Sequence, residues 1–520
     1  MWKILVSIFL FWAYIPAAVF SQAFFVNKSQ TGIIKDDFVV NDDSLDNVNQ
    51  IYQEMAMDAE GNFIIVWTDR RLGEDDIWFQ RFDALGNRLG SNTKVNTTLG
   101  NYGNYSASVS MDSSGNFIIS WSGYNDRRLP QIYFQRFNRY GVPFGANKKV
   151  SPDTTYAYFT SSALHNNGKF IISWEDPRYG YFPSVFCQIF DDSGIPIGSN
   201  LLVNDTVKYR GGWYSKLTII NDEKFAVTWQ YDGIHILLQI FNNDGHKIGP
   251  NIEVDDDSTI YGFRHTPAIS KIDSNRFVIS WADNDHNIIF LKIYDEFGNQ
   301  IGSKHRVNND IFTIARKDPQ ISYDGDQRFI VTWNESPSAN QKYLMGQQFS
   351  TNGTLIKSIF PINKFSFFDD YGWYYNFATL ESNSSRIVFC WGDNRHGKGY
   401  DIYCKIVTWD WNGLTNVEDV AENPTSFVLY QNYPNPFNPS TVISYQLSAA
   451  SHVNLKVFDV LGREVAILVN EVKDAGTYNY PFSISRVGGQ FLNSQLNSGV
   501  YIYKLTAGNF TAQKKMIVLK

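Results

Sequence analysis

Phe63-Ile-Ile-Val-Trp67, Phe117-Ile-Ile-Ser-Trp121, Phe170-Ile-Ile-Ser-Trp174, Phe225-Ala-Val-Thr-Trp229, Phe277-Val-Ile-Ser-Trp281 and Phe329-Ile-Val-Thr-Trp333 are copies of one apolar run that ends in tryptophan. Ile387-Val-Phe-Cys-Trp391 is a looser seventh copy. The tryptophans follow one another at 54, 53, 55, 52, 52 and 58 residues. A β-rich unit with a period near 50 predicts a propeller or another repeat array, because one such unit cannot bury its apolar face alone.

Each repeat carries four strand signals. In the second they fall at 107–111, 117–121, 132–137 and 148–150. Asp112-Ser-Ser-Gly115 and Asn138-Arg-Tyr-Gly141 supply the turns, Asp or Asn capping backbone N–H groups and Gly taking the left-handed position. The seventh repeat lacks a fourth strand after residues 402–407. The missing motif stands near the start of the chain, at Phe38-Val39-Val40-Asn41-Asp42, which matches Val203-Asn204-Asp205 and Val307-Asn308-Asn309. The N-terminal strand is therefore expected to complete the last blade and close a ring, removing open sheet edges. The expected fold is all-β: a seven-bladed β-propeller over 24–413, a linker over 414–426, and a small Ig-like antiparallel β-sandwich over 427–520.

Composition narrows the function classes. The chain has 520 residues, 16% aromatic and 19% charged, with a net charge of −7. It has no basic cluster, so nucleic acid is not an expected partner. Lys3, the apolar stretch 4–15, Pro16 and small residues near 19–23 read as a signal peptide over 1–21. No later segment is apolar enough to span a bilayer, so no transmembrane segment is expected after cleavage. Cys187 and Cys404 share a repeat position with Phe79 and Phe134, which points to buried thiols; Cys390 lies one strand before Cys404, which leaves a cross-strand disulfide open. No CxxC or His-spaced zinc pattern occurs, and neither a metal nor a cofactor is expected.

An acid follows most of the tryptophans by two positions: Asp69, Asp176, Asp283, Glu335 and Asp393. Arginines follow at Arg70, Arg71, Arg178 and Arg395. Recurrence favours a shared structural task, a blade-to-blade salt bridge or loop cap, over a ring of ligand contacts. Tyr52, Tyr105, Phe159 and Tyr214 precede their tryptophans by 15 or 16 residues and read as structural for the same reason. Non-recurring residues on the long connections are the candidate ligand contacts: Tyr102, Arg127, Tyr209, Arg210, Arg264, Tyr371 and Trp373. Aromatic and guanidinium groups there could stack on sugar rings or anchor a peptide. There is no HExxH, G-x-S-x-G or P-loop, so no catalytic residue is assigned.

The C-terminal stretch contains Tyr430-Gln-Asn-Tyr-Pro434-Asn435-Pro436-Phe437-Asn438-Pro439, then Asp459-Val-Leu461-Gly462-Arg463, Gly499-Val500-Tyr501 and Lys514-Lys515-Met516-Ile517-Val518-Leu519-Lys520. These motifs resemble the type A C-terminal sorting domain of the type IX secretion system. The resemblance implies export by that machinery in a Gram-negative bacterium of the Bacteroidetes type, to the outer-membrane surface or the medium. It places the sorting signal at Pro434, Asn435, Pro436, Gly499, Val500, Tyr501, Lys514 and Lys515. The stretch 485–495 is longer than the family's usual connection and is left unassigned. The expected function is a non-catalytic binding or adhesion module with a glycan or peptide ligand. The alternatives are a secreted glycan-active hydrolase and a structural surface-layer component.

Overall fold

The computed structural model describes residues 32–519 apart from 43–47, 98–102, 126, 153–155, 206–210, 256–263, 284–285, 309–314, 339–340, 364–377, 396–398, 414–426, 433–434, 438–439, 474–475, 484–485, 488–489 and 492–495. Every regular element among them is a strand. The chain forms two compact units, Met1–Thr415 and Asn416–Lys520.

The first unit is propeller-like. It contains seven four-stranded antiparallel sheets, six of them made of consecutive strands. First strands of successive sheets touch in order, and that of the seventh (Thr379–Asn383) touches that of the first (Gln50–Met57). The tryptophan run is the second strand of each sheet. It is covered on both faces, so it shows continuous apolar character instead of alternation. Phe63–Asp69 and Phe170–Asp176 are buried at every position. All seven tryptophans are at most 1% exposed. The core lies between neighbouring sheets: Phe79 of the first meets Phe117 and Phe137 of the second at 5.5 and 5.2 Å.

The seventh sheet has the order Thr379–Asn383, Arg386–Asp393, Asp401–Val407, then Ile33–Val39 from the N-terminus. Two hydrogen bonds fasten each fourth strand to its third. In the first sheet Val95 N–H donates to Ile77 O at 2.8 Å, and Asn96 Oδ1 accepts Ile77 N–H at 2.8 Å. The same side-chain acceptor recurs at Ser151, Asn204, Asp255, Asn308 and Asn363. In the seventh sheet Val40 N–H donates to Ile402 O at 2.8 Å, and Asn41 Oδ1 accepts Ile402 N–H at 3.0 Å. The two ends of the first unit are thus joined by the clamp used inside every other sheet.

Strand limits differ from the sequence expectation where pairing is irregular. The first strand of the second sheet begins at Asn104, not 107, because a bulge between Tyr105 and Ser108 breaks its alternation. The turn Asp112–Gly115 forms as expected: Asp112 Oδ1 accepts the N–H groups of Ser114 and Asn116 at 2.9 Å, and Gly115 has φ 86°. Cys390 and Cys404 are directly paired across two strands, and all three cysteines are buried free thiols.

The second unit has a four-stranded sheet of Glu464–Lys473, Ser451–Asp459, Gly499–Ala507 and Phe510–Val518, and a three-stranded sheet of Val428–Leu429, Ser440–Leu447 and Gly476–Ser483. One apolar cluster, including Ile443, Val453, Leu455, Phe482 and Leu505, joins the sheets. Within 485–495 a short hairpin pairs Arg486–Val487 with Gln490–Phe491.

Ring closure makes a direct prediction. Asn41→Ala leaves the buried Ile402 N–H without its side-chain acceptor and should lower stability by about 1–3 kcal/mol in denaturant melts. Deleting residues up to Asn41 should abolish cooperative melting. An unaltered melt of that deletion would show that the strand closes nothing.

Candidate functional site

The first strands share a distortion. Their pairing slips between Ile51 and Glu54, Tyr105 and Ser108, Tyr158 and Ser161, Trp213 and Lys216, His265 and Ala268, and Lys317 and Gln320. Within these bulges Tyr52, Ser106, Phe159, Tyr214 and Asp318 take positive φ, between 42° and 57°. Such backbone costs roughly 1–3 kcal/mol per residue for non-glycine side chains and clusters at functional sites. Here it re-aims the residues that follow. Glu54, Ala107, Thr160, Lys216, Thr266, Gln320 and Thr379, one from each sheet, line a single cavity. It has about 100 Å³ of free space, below the roughly 300 Å³ at which pockets begin to engulf small molecules.

Lys216 Nζ lies 2.6 Å from Glu54 Oε1, with side chains 29% and 31% exposed. The first and fourth sheets are not neighbours, so this pair crosses the cavity. Partial solvation makes it a weak stabiliser; its effect is to set a fixed positive and negative group at the axis. Hydroxyls link neighbouring first strands around it: Ser108 to Ser162 at 3.2 Å, and Ser322 to Ser382 at 2.8 Å. Glu381, on the seventh first strand, accepts from Ser322 Oγ at 3.3 Å. The residue is half-buried, yet its carboxyl lies deep. Desolvation, with the Glu54 charge adding, pushes it up to about 8. Glu381 therefore carries a proton at neutral pH and can donate it.

Aromatic side chains surround the cavity's end of the second, third and fourth sheets. Phe159 and Tyr214 lie 5.6 Å apart and line the cavity with Tyr52. Phe182 meets Trp213 at 6.3 Å, and Tyr156 stacks on Tyr158 at 6.3 Å. Tyr181 is 92% exposed, Tyr179 59% and Phe182 41%. Burial, then the phenols of Tyr124, Tyr158 and Tyr52, push the Tyr105 hydroxyl well above its ordinary range. Sequence reasoning set Tyr52, Phe159 and Tyr214 aside because they recur in register. The signal that could have found them is that the same position, fifteen before the tryptophan, holds Ser106, Thr266 and Asp318 in other repeats.

Of the candidate ligand contacts, Tyr102, Tyr209, Arg210, Tyr371 and Trp373 lie outside the described residues. Arg127 is exposed on a turn, its N–H donating to Asn125 Oδ1 at 2.9 Å. Arg264 begins a first strand, paired with Asp283. The acids after the tryptophans turn inward. Asp69 Oδ2 accepts the Trp67 indole N–H at 2.9 Å and pairs with Arg71 at 2.7 Å. Asp176 with Arg178, and Asp393 with Arg395, repeat this at 2.5 and 2.6 Å. Arg178 and Arg395 lie 3.9 Å over Phe186 and Tyr403. Asp69, Asp176 and Asp393 each cap their own tryptophan and loop, and Arg71 also reaches Asp42, at the end of the seventh sheet's closing strand, at 2.8 Å. Among the described residues, His235, Glu253 and Asp255 form a group that could hold a metal ion, outside the cavity wall.

In the second unit the Asn-rich motif holds the last strand. Asn435 Nδ2 donates to Lys515 O at 3.1 Å, and its Oδ1 accepts Ile517 N–H at 2.8 Å. Phe437 N–H donates to Ile517 O, and Leu519 N–H to Phe437 O, both at 3.0 Å. Pro436 thus sits between two anchors. Tyr503 Oη donates to Tyr430 O at 2.6 Å. Gly499, Val500 and Tyr501 pair with Val518, Ile517 and Met516, and Lys514 and Lys515 are exposed on the last strand. Pro434 lies outside the described residues.

Two outcomes are expected. Glu381 is held above its ordinary value of 4.5 in the folded state, so its contribution to stability is full below pH about 4.5 and is lost as pH rises through about 8. Glu381→Gln should flatten that fall in melting temperature between pH 5 and 8. Asn435→Ala should free the last strand, seen as faster amide exchange at Ile517, and should lower export in the native host.

Residues 431–519 match the family model described as "Secretion system C-terminal sorting domain". No curated protein matches the chain. Among solved structures, a protein of unknown function from Dyadobacter fermentans is 10% identical over 72% of this chain and 98% of its own, with a TM-score of 0.42. A GH93 α-L-arabinofuranosidase of Fusarium graminearum is 10% identical over 72% and 97%, with a TM-score of 0.43. A PL25 ulvan lyase is 9% identical over 74% and 96%, with a TM-score of 0.46. Likeness at that level carries no substrate to this chain. The sorting domain does fix its destination: the protein is secreted by the type IX system of Gram-negative Bacteroidetes, to the cell surface or the extracellular space.

Proposed function

We propose that residues 24–413 form a seven-bladed β-propeller that binds a saccharide without turning it over. Residues 1–21 are its signal peptide, 414–426 a linker, and 427–520 an Ig-like sandwich read by the secretion machinery. The observation that carries the binding reading is the exposure of Tyr156, Tyr179, Tyr181 and Phe182, with Phe182 against Trp213, the chain neighbour of the cavity-lining Tyr214. Sugar rings offer flat C–H faces to aromatic rings and hydroxyls to polar groups. Exposed clustered aromatics serve no core and mark interaction surfaces. The cavity is small, about 100 Å³, so in this reading the ligand lies on these aromatics and reaches Glu54 and Lys216 with a substituent. In this reading Tyr102, Arg127, Tyr209, Arg210, Arg264, Tyr371 and Trp373 extend the same face.

A second reading, a glycan hydrolase, is favoured by one observation: Glu381, with its raised value of about 8, lies close enough to feel the Glu54 charge. A protonated acid near an ionised one is the arrangement glycoside cleavage uses. The mature protein on a glycan array should give hits, and Tyr181→Ala or Phe182→Ala should each weaken binding about two- to tenfold without moving the melting temperature. Hits on a peptide library with a blank glycan array would replace the saccharide. Polysaccharide turnover that vanishes in Glu381→Gln would overturn the non-catalytic reading.

A further inference from the structure

The acceptor that fastens each fourth strand is neutral in six sheets: Asn96, Ser151, Asn204, Asn308, Asn363 and Asn41. In the fourth sheet it is Asp255, which still accepts the Ile236 N–H at 3.0 Å and is 1% exposed. Its surroundings change with it. In the first sheet the neighbouring third-strand position is Asp76, which accepts from Asn96 Nδ2 at 2.8 Å and from Lys94 Nζ at 2.6 Å. In the seventh sheet Asp401 accepts from Asn41 Nδ2 at 2.8 Å. The corresponding residues of the fourth sheet are His235, Glu253 and Asp255. The amide donor has become a carboxylate, and the lysine has become a glutamate.

His235 Nδ1 lies 3.0 Å from Glu253 Oε1 and 3.9 Å from Asp255 Oδ1. All three ligand atoms fall within 4.8 Å of one another. Nδ1 is shielded from solvent and has no partner in hydrogen-bonding geometry. Two carboxylates held this close repel unless a cation stands between them. We propose that His235, Glu253 and Asp255 bind a divalent transition metal, with zinc the best match. Donors about 2.1 Å from a tetrahedral zinc are about 3.4 Å apart, which the observed distances straddle. Imidazole in the set favours zinc over calcium or magnesium, which take oxygen ligands. Glu253 is 48% exposed and His235 29%, which leaves room for water at a fourth position. The site sits where the third strand begins and the fourth ends, and it stands independently of the saccharide reading.

The repeat itself supplies the control. Asp255→Asn installs the residue that five other sheets carry, and His235→Gln copies Gln131 of the second sheet. The metal-stripped mature protein is titrated with zinc chloride by calorimetry and followed by thermal melting. One equivalent should bind and raise the melting temperature. Asp255→Asn and His235→Gln should melt like the stripped wild type and bind zinc at least tenfold more weakly. Zinc failing to bind the wild type, zinc binding Asp255→Asn as tightly, or calcium chloride binding as well as zinc would each overturn the site.

Discussion

The fold depends on a two-bond clamp between the third and fourth strands of each sheet, and above all on the copy made by Val40 and Asn41 with Ile402. An unpaired N–H buried in a sheet costs about as much as a lost hydrogen bond, so an outer strand ending in an amide acceptor is held in one register. Repeating the clamp between the two ends of the first unit turns its seven sheets into a ring with no first or last face. Without that closure the apolar surface of the seventh sheet, including Cys390, Ile402 and Cys404, would lose the cover of Phe38 and Val40. The first sheet, which packs into the same cluster through Trp67 and Phe82, would lose its neighbour's support.

Closure also explains why strain collects where it does. Seven first strands converge on one axis, and six of them depart from regular pairing as they approach. Left-handed backbone at Tyr52, Phe159 and Tyr214 is unfavourable alone, yet the packed sheets over-determine it. The result is an axis lined by short hydroxyls and one crossing ion pair, with aromatic rings gathered at its mouth. Rigid sheets below and variable connections above are a common division between scaffold and recognition surface. The tryptophan–acid–arginine groups belong to the scaffold: the acids are almost wholly buried, and each has an indole or a guanidinium as partner.

The sorting unit uses its motif in a different way. The Asn-rich segment is not a free tag; Asn435 bridges Lys515 and Ile517, and Phe437 pairs with Val518. The start and end of the unit are therefore fastened to each other. This leaves the last strand's lysines exposed on a fixed backbone. Its core is separate from that of the ring.

Much of this was legible in the residues because it is local. The tryptophan run, the Asp-to-Gly turns and the Val-Asn motif are contiguous patterns whose spacing reflects burial and pairing. Even Phe38 to Asn41 could be matched to the seventh repeat by likeness alone. The sorting motif was legible for the same reason. What only the tertiary structure decided is which distant residues meet. Glu54 and Lys216 are 162 positions apart, and their pairing follows from closure of the ring. His235, Glu253 and Asp255 show no metal-like spacing, since strand register, not sequence distance, brings them together. Tyr52, Phe159 and Tyr214 recur in register and so read as scaffold, and recurrence alone does not tell which way a bulge turns them. Local periodicity records which side of a strand is buried; it does not record what lies across an axis where seven strands converge.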